Sequence, residues 1–79
     1  MIDPQQLATL LIRDLNRAIG ELPAGQRAVL LLVTLEDMTY DQVARTLDIP
    51  IGTVMSRLAR AREKLRDAVL GVVRLRAVN

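Results

Sequence analysis

The residues able to do chemistry in this sequence are few in kind. No Cys and no His occur among the 79 residues. A thiolate nucleophile, a disulfide, a Cys- or His-based metal site and the usual proton shuttle at neutral pH are therefore all missing. Nine carboxylates remain. Glu36, Asp37 and Asp41 stand close together and could be imagined as an acid–base pair. They flank one helix end and the next helix start, however, where cap and dipole charges account for them more simply. No enzyme, cofactor or metal is expected from this set.

The cations are more telling. Residues 1–50 hold four basic groups (Arg13, Arg17, Arg27 and Arg45) against seven acidic ones, a balance of −3. Residues 51–79 hold seven basic groups against two acidic ones, Glu63 and Asp67, a balance of +5. Such asymmetry points to a C-terminal segment that faces a polyanion. Tyr40 is the sole aromatic residue, so stacking platforms for single strands or RNA are lacking and a duplex is the better match.

The elements that must position these cations follow from the hydrophobic period. Asp3-Pro4 opens a first helix over about 4–20, since Asp caps free amides and Pro is tolerated in the first turn. Leu7, Leu10, Leu11, Leu15, Ala18, Ile19 and Leu22 keep its 3.6-residue period, and Gly20 lies near its end. A second helix over about 24–36 carries the run Val29–Leu35; apolar on all sides, it is expected to be the central and most buried helix. Thr39 followed by Gln42 fits a capping box for a short third helix, 40–47, with Val43, Ala44 and Leu47 inward. Asp48-Ile49-Pro50 breaks that helix. A fourth starts near Ile51 and runs to about Leu70, with Gly71 as its stop and Val72–Asn79 as a tail that either frays or prolongs it.

At 100° per residue the fourth helix sorts into faces. Val54, Leu58, Ala61, Leu65, Ala68 and Val69 form one apolar stripe. Opposite it lie Ser56, Ala59, Arg60 and Glu63, with Thr53 and Met55 at the edges of the first turn. Arg57 and Lys64 line one flank of the stripe, Arg62 and Arg66 the other. Short polar side chains framed by long cations suit a helix that approaches base edges while its flanks reach phosphates. Free amides at its start favour a phosphate as well. The carboxylates Glu63 and Asp67 should confine close contact to about 53–60. An ordinary surface helix, with Arg60, Lys64 and Glu63 in exposed ion pairs, is the bland alternative.

The preceding helix favours the sharper reading. Val43, Ala44, Leu47, Ile49 and Val54 reproduce the core spacing of a helix-turn-helix: a small residue at the crossing, two residues wedging the turn and one anchoring the second helix. Asp48 stands where Gly is favoured, a mild departure because Asp tolerates unusual backbone angles.

Leu22-Pro23 with Arg27, the Leu30–Leu32 run, Thr39-Tyr40-Asp41-Gln42-Val43-Ala44, Ile49-Pro50-Ile51-Gly52-Thr53-Val54, Ser56-Arg57-Leu58 and Arg60-Ala61-Arg62 together resemble region 4 of bacterial sigma factors, the extracytoplasmic-function (ECF) group above all. The likeness covers about residues 5–68. It implies an all-α, compact four-helix domain with a C-terminal helix-turn-helix of the winged-helix-like or sigma region 4 type, without a wing. It further implies binding of promoter duplex DNA at the −35 element, docking on the flap of the RNA polymerase β subunit, and occlusion by an anti-sigma factor. Carried over by position, Thr53, Ser56, Arg57 and Arg60 face DNA, with Lys64 on the flank and Thr39 and Tyr40 near the backbone. Met55 occupies a DNA-facing position that is commonly Lys or Arg in the family, and a thioether cannot make the bidentate guanine contact of Arg. The family's region 2 has no counterpart in these residues, so the chain alone is not expected to direct initiation.

Two other classes stay open. One is a protein-interaction module binding an anti-sigma factor or the polymerase flap with little DNA affinity, which Met55, Ala59 and the leucine-rich second helix allow. The other is a LuxR-type response-regulator DNA-binding domain, against which the Ser56–Arg62 string argues. Length makes 1–79 one domain with a core of 4–70 and a tail of 71–79. At 51% apolar residues it buries only roughly 60–65% of its unfolded surface. No uninterrupted apolar run is long enough to span a membrane, and no export signal is legible, so a cytoplasmic location is expected.

Overall fold

A computed structural model describes residues 2–77, with side chains as far as Arg74. The chain folds into four helices: α1, Pro4–Glu21; α2, Ala24–Thr34; α3, Tyr40–Leu47; α4, Ile51–Ala77. No strand occurs among the described residues. None of their helices is long and apolar enough to cross a membrane.

Helix starts are fixed by side chains that satisfy otherwise orphaned amides. Asp3 Oδ1 accepts from the Gln6 amide at 2.9 Å while Gln6 Oε1 accepts from the Asp3 amide at 3.3 Å. The cap expected at Asp3 is thus a full capping box with the same i, i+3 signature as the one at Thr39, Gln6 supplying the return bond. At α3 the Gln42 amide donates to Thr39 Oγ1 at 3.1 Å and the Thr39 amide to Gln42 Oε1 at 2.8 Å. The end of α1 is closed differently: Arg27 Nη1 donates to the Gly20 carbonyl at 2.8 Å. The Leu22-Pro23-x-x-x-Arg27 spacing thus serves as a clamp that brings the start of α2 back onto the last turn of α1.

The helix-turn-helix core assembles as the spacing requires. Val43, Val54, Leu58 and Ala61 are buried with Leu22, Val29 and Leu30, and Ala44, Leu47, Ile49 and Leu65 pack around them. Between α3 and α4, Asp48 adopts a left-handed conformation, φ 54°, and the Ile49 amide donates back to the Ala44 carbonyl at 3.0 Å. An αL residue is what a tight helix stop needs, and Asp bears it with less strain than a β-branched residue would. Asp37 does the same at φ 55° after α2, letting the Met38 amide reach the Leu32 carbonyl at 3.1 Å.

Two expectations are corrected. The central helix is α4, which packs against α1, α2 and α3, whereas α2 stops at Thr34 and buries only Val29 and Leu30. Helix α2 is nevertheless the least exposed helix, as expected, since every residue from 25 to 33 is buried or half-buried, while Leu35 beyond its end is 74% exposed. Nor does α4 end at Gly71; it continues to Ala77. A helical Gly costs about 1 kcal/mol relative to Ala, and burial of Val72 in the next position offsets it. Ala18 and Asp14 of α1 there line the same shallow recess as Ala68, Gly71 and Val72 of α4. A helix of 27 residues sets the long axis, and the described residues extend 47 × 18 × 16 Å.

Candidate nucleic-acid interface

The start of α4 is set by the break at Pro50, whose carbonyl accepts from the Thr53 amide at 3.0 Å and the Val54 amide at 3.2 Å. Val54 and Leu58 are then drawn into the core, and that choice fixes the rotation of the whole helix. Ser56, Ala59 and Arg60 consequently point to solvent. Neither Ser56 nor Arg60 is sealed inside. Thr53 is half-buried at the edge of this face, and Met55 is 53% exposed. The Ser56 hydroxyl donates to the Thr53 carbonyl at 3.2 Å, which leaves its lone pairs free to accept from outside.

The cations around this face are free. Among the described residues the ion pairs are Arg17–Asp14 at 3.0 Å and Arg45–Asp41 at 2.7 Å, both outside α4. Arg60, Arg62, Lys64 and Arg66 are exposed without a carboxylate partner, and Glu63 pairs with none of them. The surface helix laced with ion pairs, the bland alternative, is not what forms. Four exposed cations against the two exposed carboxylates Glu63 and Asp67 leave a net positive field on this part of α4, which attracts a polyanion.

Arg57 is placed differently from the other cations. It is half-buried, and its guanidinium lies over Gly25 in the first turn of α2. A Cβ at residue 25 would stand 3.0 Å from Arg57 Nη1 and 3.1 Å from Cζ, so the absent side chain makes room for the group. No sequence signal joins these two positions. Thr39 and Tyr40 sit where α3 begins: Thr39 is exposed with its hydroxyl engaged in the cap, and Tyr40 is half-buried against the core. Lys64 lies beyond the first turns, on the same flank as Arg57 and exposed. The helix-turn-helix therefore brings Thr53, Met55, Ser56 and Arg60 onto one open face, while Arg57 turns from it toward α2. Among the described residues no group of His, Cys, Asp and Glu could hold a metal ion.

Comparison with known proteins agrees with this geometry. Residues 12–65 match the family described as Sigma-70, region 4. The chain is similar to the ECF RNA polymerase sigma factor SigE of Mycolicibacterium smegmatis, 41% identical over 54 residues, which cover 68% of this chain and 21% of that protein. It is also similar to the ECF RNA polymerase sigma-E factors of Salmonella typhimurium and Escherichia coli, 38% identical over 58 residues, 73% of this chain and 30% of each. The chain thus spans less than a third of the length of these relatives.

Proposed function

This chain belongs to the sigma-70 region 4 family, a non-enzymatic one, and from that premise we propose that it binds promoter duplex DNA at the −35 element through the first turns of α4. The observation that carries the reading is the open face of Ser56 and Arg60, flanked by exposed cations that pair with no carboxylate among the described residues. Arg60 reaches a base edge. Thr53, Met55 and Ser56 approach the groove floor beside it, and Thr39 and Tyr40 lie near the sugar–phosphate backbone. Lys64 meets phosphate on one flank, with Arg57 behind it bracing α4 on α2. Docking on the β-subunit flap of RNA polymerase, occlusion by an anti-sigma factor and a cytoplasmic setting go with this role. Exposed Leu35 and Ile12, outside α4, offer apolar contacts for protein partners.

A duplex-binding titration across salt tests the proposal. If three to five cations meet phosphates, log K falls against log salt with a slope of about −3 to −4.5. Arg60→Ala should weaken binding to a preferred sequence by about 1–3 kcal/mol and relax preference at one base pair. Binding indifferent to both salt and Arg60 would remove the reading.

A further inference from the structure

The exposed face of α4 is divided lengthwise. Thr53, Ser56 and Arg60 make a polar row; Ile51, Met55 and Ala59, spaced by four, make an apolar row beside it. Ile51 is 46% and Met55 53% exposed, and neither belongs to the hydrophobic core. We propose that this apolar row is a base-reading surface that recognises the 5-methyl groups of thymine. The inference rests on the promoter-binding role above and gives its missing half, the bases read where no cation is available.

The argument is one of size and chemistry. An α-helix with its side chains is about 10–12 Å across, and the major groove is about 12 Å wide. A helix seated there presents its whole outer face, so contact by Ser56 and Arg60 brings Ala59 and Met55, about 60° and 100° round from Ser56, against the groove floor, with Ile51 at its edge. The floor is lined by hydrogen-bond donors and acceptors, and its one apolar group is the thymine methyl. A thioether and two aliphatic side chains can satisfy no donor or acceptor, and only that methyl gives them a favourable contact. The four-residue spacing itself runs on to Glu63, but Arg62 and Arg66, both exposed and unpaired among the described residues, stand on the Met55 side of the helix one and two turns beyond Ala59. These cations favour a polyanion over an apolar protein groove as the occupant.

The test uses the full chain and a duplex selected by it from a randomised pool. Each thymine of the selected site is replaced in turn by deoxyuridine, which removes the methyl and leaves pairing intact. Affinity should fall about fourfold at one or two positions, the worth of one buried methyl group. Met55→Ala, at an exposed position that leaves the core untouched, should bind the unmodified site about fourfold more weakly and should lose the uracil sensitivity at one of those positions. Uracil-containing sites bound within twofold of the parent at every position would overturn the inference while leaving promoter binding standing. So would a Met55→Ala variant as uracil-sensitive as the parent chain. Uracil-indifferent DNA binding together with loss of β-flap capture by Met55→Arg would assign the row to a protein partner instead. Failure of the unmodified duplex to bind at all overturns both readings, and is distinguished by being visible before any uracil is introduced.

Discussion

The two ends of α4 are packed by the same kinds of residue and to different depths. Around its first half, α2 and α3 close in with the turn after α1, and Val29, Val43, Val54, Leu58 and Ala61 lose almost all contact with water. Along its second half Ala68, Gly71 and Val72 share a recess with Asp14 and Ala18 of α1; no residue of α1 is fully buried, and Val72 stands apart from the main cluster. Three helices meeting at a point cover an interior from every side, whereas two helices cover one stripe each. Leu7, Leu10, Leu11 and Leu15 of α1 remain half-buried for that reason. Hydrophobic stabilisation follows area removed from water and not residue type. The reading face therefore stands on the well-covered end, and the α1–α4 arm is the part expected to open at lower free energy.

Truncation of one leucine in each end would break or sharpen this contrast most strongly. Leu58 is 2% exposed, and Leu58→Ala should cost about 2–5 kcal/mol, a large part of the total stability of so small a domain. Leu11 is half-buried, so Leu11→Ala should cost about 1 kcal/mol. Urea unfolding of both variants measures the difference. Equal costs would mean that the arm is as tightly integrated as the junction.

A second contrast separates two cations on one flank of α4. Arg57 packs over Gly25, so Arg57→Ala should cost about 1 kcal/mol of stability through lost packing of its long side chain and leave the salt slope of DNA binding unchanged. Lys64 is free and exposed. Lys64→Ala should leave stability within about 0.5 kcal/mol and reduce the slope by about 0.9, one phosphate contact. A slope that changes with Arg57 and not with Lys64 would reverse their roles.

Much of the junction was legible in the sequence because its signals are local or periodic. The 100° step placed Val54, Leu58 and Ala61 inside and Ser56 and Arg60 outside, and Asp48 marked the turn. What escaped is tertiary. Periodicity reads the Val29–Leu35 run as apolar but cannot say how much cover the rest of a 79-residue chain can supply. Gly71 signals a helix end through a backbone preference of about 1 kcal/mol, which burial of the next residue overrides. The bond from Arg27 to Gly20 shows what the Leu22-Pro23-x-x-x-Arg27 spacing is for only once the two helices are in place, and the seat of Arg57 on Gly25 joins residues that no spacing rule connects. Of the candidate site, the solvent-facing side of α4 was therefore readable, but not the packing of Arg57 over Gly25.

The smallest effect discriminates most finely between the two ends, because it uses the same bond in both. Thr39 and Asp3 each close a capping box, with side-chain acceptance from the third helical amide at 3.1 and 2.9 Å. Judged by local geometry, removing either should cost the same, about 1 kcal/mol. Global unfolding registers a local bond only where the segment cannot open alone. Helix α3 is bound to the core through Val43, which is fully buried, so Thr39→Ala should show the whole cost in urea unfolding. The first turn of α1 buries no residue, so it can fray at little cost. Asp3→Ala should therefore cost less than about 0.5 kcal/mol globally and show instead as faster amide exchange at residues 5–7. Equal global costs for the two caps would show that α1 unfolds only with the junction, and the division of α4 into a covered and an open end would not hold.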